Sequence, residues 1–209
     1  MKKVLVFSSL LALGAAASYG APQACSTQSA SALSGYTCEI GDKIFSNISL
    51  TGSGVPTTGT VGFAGGGTLY TLDFANYSAP ITTAFTLNFT VAVDTVAQPQ
   101  NIISQIQESM LTSTLTGGQI PNTSTAVVTY SSGGSTNLDG GSVGDQNGLQ
   151  SMNTTSDTLS FAYTPGSNGK IADVQFGISQ STVPEPVSLS LTGLGLVGLG
   201  FFGSRRLKA

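Results

Sequence analysis

Histidine and tryptophan are both absent from the 209 residues, and only 8% of the chain is charged. Without an imidazole there is no Ser-His-Asp or Cys-His machinery, no histidine metal cluster and no ordinary base titrating near neutrality. The missing indole removes the broadest surface for stacking a sugar, leaving Tyr36, Tyr70, Tyr77, Tyr130 and Tyr163 between the two ends. Cysteine occurs twice, at Cys25 and Cys38, and never as Cys-x-x-Cys, so dithiol redox chemistry has no motif. No cofactor signature is present, and no enzyme activity or cofactor is expected.

The few charges are also unevenly placed. Lys2, Lys3, Arg205, Arg206 and Lys208 lie at the ends, leaving Lys43 and Lys170 for everything between. Residues 21 to 183 hold nine acids against those two bases, a net of −7, whereas the whole chain shows −3. Such a surface repels phosphate backbones and excludes nucleic acid as a partner, because that binding depends on Lys and Arg displacing counterions.

Hydrophobic runs are confined to the ends. Met1-Lys2-Lys3 followed by the apolar stretch Val4 to Ala17 and small residues reads as a secretory signal peptide, residues 1–20, that engages the Sec translocon. Cleavage after Gly20 is expected, since a cut after Ala21 would put Pro22 at the disfavoured next position. At the other end, residues 183–209 begin with Val183, Pro184, Glu185 and Pro186, where two prolines fix φ and remove two donors, so neither helix nor strand runs through. An uncharged run over 187–203 follows, containing Gly193, Gly195, Gly198 and Gly200, and residues 204–209 supply Arg205, Arg206 and Lys208 as a basic stop. The run falls slightly short of the roughly 20 residues that span a hydrocarbon core, a gap that bilayer thinning and snorkelling of the basic residues close. Basic residues behind it predict a cytoplasmic C-terminus. A buried core helix is the alternative, but it would need no basic stop.

Pro-Glu-Pro, a Gly- and Leu-rich apolar segment and a terminal Arg-Arg cluster resemble the PEP-CTERM sorting signal of Gram-negative bacteria. The resemblance covers only the end of the chain and is matched by the signal peptide. It implies recognition of Val183 to Pro186 by the membrane transpeptidase exosortase, retention by the apolar segment, and removal of that segment during sorting. The run from Gly35 to Ser46, with a Cys followed by Gly-Asp and an aromatic strand, is similar to the N-terminal part of many PEP-CTERM proteins.

Residues 21–182 suit one domain. Their wealth of Ser, Thr, Asn and Gly favours β-ladders over charged helix faces. Period-two alternation is clearest over Thr83 to Thr95, with Phe85, Leu87, Phe89, Val91 and Val93 on one face and Thr86, Asn88, Thr90 and Ala92 on the other. Further strands are predicted at Lys43 to Leu50, Thr58 to Ala64, Thr68 to Ala75, Thr125 to Ser131, Asp157 to Thr164 and Ile171 to Ser179, separated by Gly-, Ser- and Pro-rich turns. Asn101 to Leu115 carries apolar residues at spacings that suit a helix or a strand, and its β surroundings favour strand. The expected class is all-β: one β-sandwich or jelly-roll-like domain, flanked by the signal peptide and a transmembrane sorting helix.

An even cysteine count behind a signal peptide predicts a Cys25–Cys38 disulfide formed in the oxidising periplasm. Asp73, Asp94, Glu108 and Asp173 are the carboxylates available for glycoside hydrolysis, but nothing in their spacing selects a pair, and solvated surface acids are expected. Leu138 to Asn147 offers Asp139, Asp145 and Asn147 as hard oxygen ligands for calcium, without EF-hand spacing, and a plain loop is the simpler reading. Asn-x-Ser/Thr triplets begin at Asn47, Asn76, Asn88, Asn122 and Asn153, as composition alone would produce. Two functions fit. One is a non-enzymatic protein, exported through the inner membrane, anchored transiently or stably, and delivered to the cell surface or an exopolysaccharide or biofilm matrix. The other is a secreted carbohydrate-binding or carbohydrate-degrading domain using exposed Tyr and Asp residues.

Overall fold

The computed structural model describes residues 22–53, 55, 58–76, 80–112, 124–139, 145–166 and 169–183. The segments expected to be a signal peptide and, beyond Val183, a sorting tail, together with Tyr77 and Asn122, lie outside the described residues.

Thirteen strands are formed there: β1 (Gln23–Ala24), β2 (Gln28–Ser29), β3 (Cys38–Ile40), β4 (Lys43–Thr51), β5 (Thr60–Gly66), β6 (Leu69–Ala75), β7 (Phe85–Val93), β8 (Asn101–Thr112), β9 (Thr125–Tyr130), β10 (Ser135–Asp139), β11 (Asp145–Thr154), β12 (Ser156–Thr164) and β13 (Ile171–Thr182). One 3-10 turn, Ala30–Ala32, follows β2. The strands make two sheets, in the orders β1-β3-β4-β7-β12-β9-β10 and β11-β8-β13-β6-β5-β2. All neighbours are antiparallel except β1 and β3. The chain is therefore all-β, as its alternation predicts.

That alternation builds a common core. On β7 the five predicted residues, Phe85 to Val93, are buried, while Thr86, Asn88, Thr90 and Ala92 face outward. Leu159, Phe161 and Tyr163 do the same on β12, as do Val174, Phe176 and Ile178 on β13. Rings then meet across the sheets: Phe89 with Phe176 at 4.9 Å, Phe45 with Phe63 at 5.3 Å, and Phe74 with Phe85 at 5.7 Å. Burying one such ring contributes about 1.5–3 kcal/mol, and each pair adds about 1 kcal/mol.

Two bulges explain irregular spacings. On β4 the register shifts between Ser46 and Ser49, and Asn47 takes a φ of 53°, a left-handed conformation that Asn tolerates. The extra residue turns Phe45 and Ile48, three apart, into the core together. The same happens on β8, where Gln105 and Ile103 pair with the consecutive residues Ser179 and Gln180, making Ser104 the extra one. Ile103, Ile106 and Met110 are thereby all buried, so the helix-like spacing in this segment belongs to a bulged strand.

β10 and β11 were not expected. Their sequences are polar, and only Leu138 on one and Gly148 on the other are buried among the described side chains. They are the edges of the two sheets and lie against each other. Gly148 permits that approach, since a Cβ there would stand 2.3 Å from Thr136 Cγ2. Of the loop predicted over Leu138 to Asn147, Leu138 and Asp139 belong to β10, Asp145 and Asn147 to β11, and residues 140–144 lie outside the described residues.

Cys25 and Cys38 are joined, 13 residues apart, tying the chain beside β1 to β3. Removing the bridge frees a short loop, which the chain-entropy account values at about 2–3 kcal/mol. A Cys25→Ser, Cys38→Ser double variant should lose that much in urea unfolding, and an unchanged midpoint would show that the loop stays ordered without it.

Candidate functional site

Ile40 pairs with Lys43, so β3 and β4 are joined by the two-residue turn Gly41-Asp42. Gly41 has a φ of 63°, the preference of the first central position in a type II′ hairpin. A side chain is also excluded there by space, because a Cβ would come within 2.6 Å of the Tyr70 hydroxyl. Lys43 opens β4 in phase with Phe45, and its side chain therefore points inward and is fully buried.

A buried ammonium needs partners from several directions, and one turn and two strands provide them. Lys43 Nζ donates to Asp42 Oδ1 at 2.8 Å and to Gln180 Oε1 of β13, and stands 4.8 Å from the centre of the Tyr70 ring on β6. Asp42 Oδ2 accepts from Asn101 Nδ2 of β8 at 2.7 Å. Gln180 Nε2 in turn donates to the Gly67 carbonyl at 2.8 Å. One ion pair thus couples the β3–β4 hairpin of one sheet to β6, β8 and β13 of the other.

The electrostatics follow from these contacts. Burial pushes Lys43 below its ordinary pKa, an effect that Asp42 only partly offsets. Burial acts on Asp42 in the opposite direction, but hydrogen bonds from Lys43, Asn101 and Tyr70 outweigh it and hold the carboxyl below its usual value. Tyr70 is raised by burial and by its bond to Asp42. Glu39 is also raised, first by burial and then by the charges of Asp94 and Asp42. Each charge of the pair is thus met by the other at 2.8 Å.

Above this pair is a cavity of about 440 Å³. Asp42, Gly67, Tyr70, Gln98, Asn101 and Thr182 are among the residues that line it. Asp94 shapes the β7–β8 loop beside it, with Oδ1 accepting from the backbone of Val96 at 2.9 Å and Ala97 at 3.2 Å. Asp94, a potential catalytic acid by sequence, is thus a turn cap.

The remaining acids are dispersed. Glu108 is fully buried between the sheets, in phase with Ile106 and Met110, where the Tyr130 hydroxyl donates to its Oε1 and its Oε2 has no partner. Burial pushes its pKa up to about 7. Asp73 and Asp173 meet half-buried on the outer face of the six-stranded sheet, and burial together with Asp173 pushes Asp73 to about 7. Solvation, the sequence expectation for these three, is overturned because one occupies an inward strand position and two are brought together by the pairing of β6 and β13. Asp73 and Asp173 act on one another directly rather than across a space for a sugar, whereas glycoside hydrolysis holds its two carboxyls about 5 Å or more apart.

Expected stacking tyrosines are corrected likewise. Tyr36, Tyr70, Tyr130 and Tyr163 are all buried, their rings in the core and their hydroxyls paired with Ser26, Gly67, Glu108 and Ser124 respectively. Asp139 closes β10 in one sheet, whereas Asp145 and Asn147 belong to β11 in the other, and the joining residues 140–144 lie outside the described residues. Among the described residues no three metal-binding side chains gather, and no helix is long and apolar enough to cross a membrane. Of the asparagines in Asn-x-Ser/Thr triplets, Asn76 is buried and donates to Thr58 at 3.0 Å, while Asn47 and Asn153 are exposed.

Sequence reasoning missed the Asp42–Lys43–Asn101–Gln180 cluster, although a lysine in phase with Phe45 at the start of a strand was the available signal. No protein-family model matches the chain, and no characterised protein matches it either.

Proposed function

We propose that this is a non-enzymatic exported protein, sorted by exosortase through a PEP-CTERM signal to the cell surface or an exopolysaccharide matrix, with a jelly-roll-like body. The observation that carries this reading is the ordered tail, Val183-Pro184-Glu185-Pro186, an uncharged run and Arg205-Arg206, paired with a signal peptide. Two structural features agree with it. The Cys25–Cys38 bridge suits an oxidising compartment. The outer face of the seven-stranded sheet is a field of hydroxyls and amides, with Thr90 and Thr158 hydrogen-bonded at 2.8 Å and Asn47 donating to Thr90 at 3.2 Å, a surface suited to a hydrated matrix.

Deleting residues 184–209 tests the sorting step. In cells carrying an exosortase, the full chain should fractionate with the envelope or matrix, and the truncated chain should be released as a folded, disulfide-bonded protein. Unchanged surface fractionation of the truncation would overturn the proposal.

A further inference from the structure

We infer that the cavity over Asp42, Tyr70 and Asn101 binds a neutral, polyhydroxylated ligand the size of one or two sugar rings. The inference gives a ligand class to the matrix association proposed above, and rests on that reading only for where such a ligand is met.

Size is the first argument. A volume of about 440 Å³ lies towards the small end of the ~300–1,000 Å³ typical of small-molecule clefts, and Gly41 and Gly67 add no side chain to fill it. Chemistry is the second. Asn101 spends one amide proton on Asp42, leaving a second N–H and its Oδ1 for another partner. Gln98 brings a further amide, Thr182 a hydroxyl, and Asp42 a carboxylate already engaged by Lys43, Asn101 and Tyr70. Amide, hydroxyl and carboxylate groups thus share the lining, a mixture of donors and acceptors that vicinal hydroxyls satisfy and an apolar ligand would leave unpaired at a desolvation cost.

Charge is the third argument. Lys43 is already held by Asp42, Gln180 and the Tyr70 ring, so it offers an anion no open ammonium, while the neighbouring carboxylates Glu39 and Asp94 repel one. Asp42 is itself neutralised by Lys43 and has little to offer a cation. Gln180, committed at both ends to Lys43 and Gly67, is a positioning residue that keeps Lys43 out of the cavity.

The test uses the full chain in detergent with glucose, galactose, mannose, N-acetylglucosamine, cellobiose and inositol as probes, and acetate, phosphate, choline and calcium as charged controls. At least one neutral probe should give saturation-transfer NMR signals and shift the amide resonances of Gln98, Asn101 and Thr182. Ala97→Trp, placed on the exposed loop at the mouth, should weaken that binding at least tenfold without moving the melting temperature. Gln98→Ala should weaken it severalfold. Silence from every neutral probe, preference for a charged control, or binding indifferent to Ala97→Trp would each overturn the inference. None of those results would alter the fractionation of the truncated chain, so the sorting proposal stands or falls separately.

Discussion

Replacing Lys43 with alanine is expected to destabilise the fold by about 3–5 kcal/mol, read as a lower urea midpoint at unchanged slope. The loss comes from what remains: Asp42, 5% exposed, would keep its charge with only Asn101 and Tyr70 to stabilise it. Against a total stability of about 5–15 kcal/mol this is a large share. The companion variant Asp42→Asn, Lys43→Met removes both charges while keeping a long side chain, and should recover more than half of the loss. If the double variant were as unstable as the single one, the penalty would lie in packing or in the Gly41-Asp42 turn rather than in an orphaned charge.

Stability should also fall as pH rises from about 4.5 to about 7. Glu108 has its folded pKa raised to about 7 from an ordinary 4.5, so the folded state holds a proton that the unfolded chain has already released. That preference is fully present below 4.5, is lost progressively through this window, and levels off above about 7, a swing of about 3 kcal/mol. Tyr130 is the polar group facing it from β9, and Gly148 of β11 closes the other side, where a Cβ would stand 2.5 Å from Oε2. Asp73 titrates over the same range in the same direction, so Glu108→Gln should remove part of the pH slope and a Glu108→Gln, Asp73→Asn double variant most of it. A slope unchanged in the double variant would assign the effect to other groups.

How much of this could be read from residues alone differs by element. β7 was legible because its alternation is unbroken and its hydrophobic face is Phe- and Val-rich. The disulfide was legible because two cysteines permit one pairing. Bulges at Asn47 and Ser104 blurred β4 and β8, since one inserted residue converts a spacing of two into three. β10 and β11 were invisible because polar edge strands carry almost no hydrophobic signal. Glu108 and Lys43 each share a phase with apolar neighbours, Ile106 and Phe45, yet Glu108 was expected among solvated acids and Lys43 was read only for its charge. The meeting of Asp73 with Asp173 depends on the pairing of strands about a hundred positions apart, and no local pattern encodes it.

The place of β13 has a consequence for biogenesis. It is the last described strand in the chain, yet it lies inside the six-stranded sheet, between β8 and β6. Until it emerges, β11–β8 and β6–β5–β2 are separate fragments, and Phe176 has not yet closed over Phe89 and Phe161. A chain delivered N-terminus first therefore completes the six-stranded sheet only after nearly all of the described residues have been released.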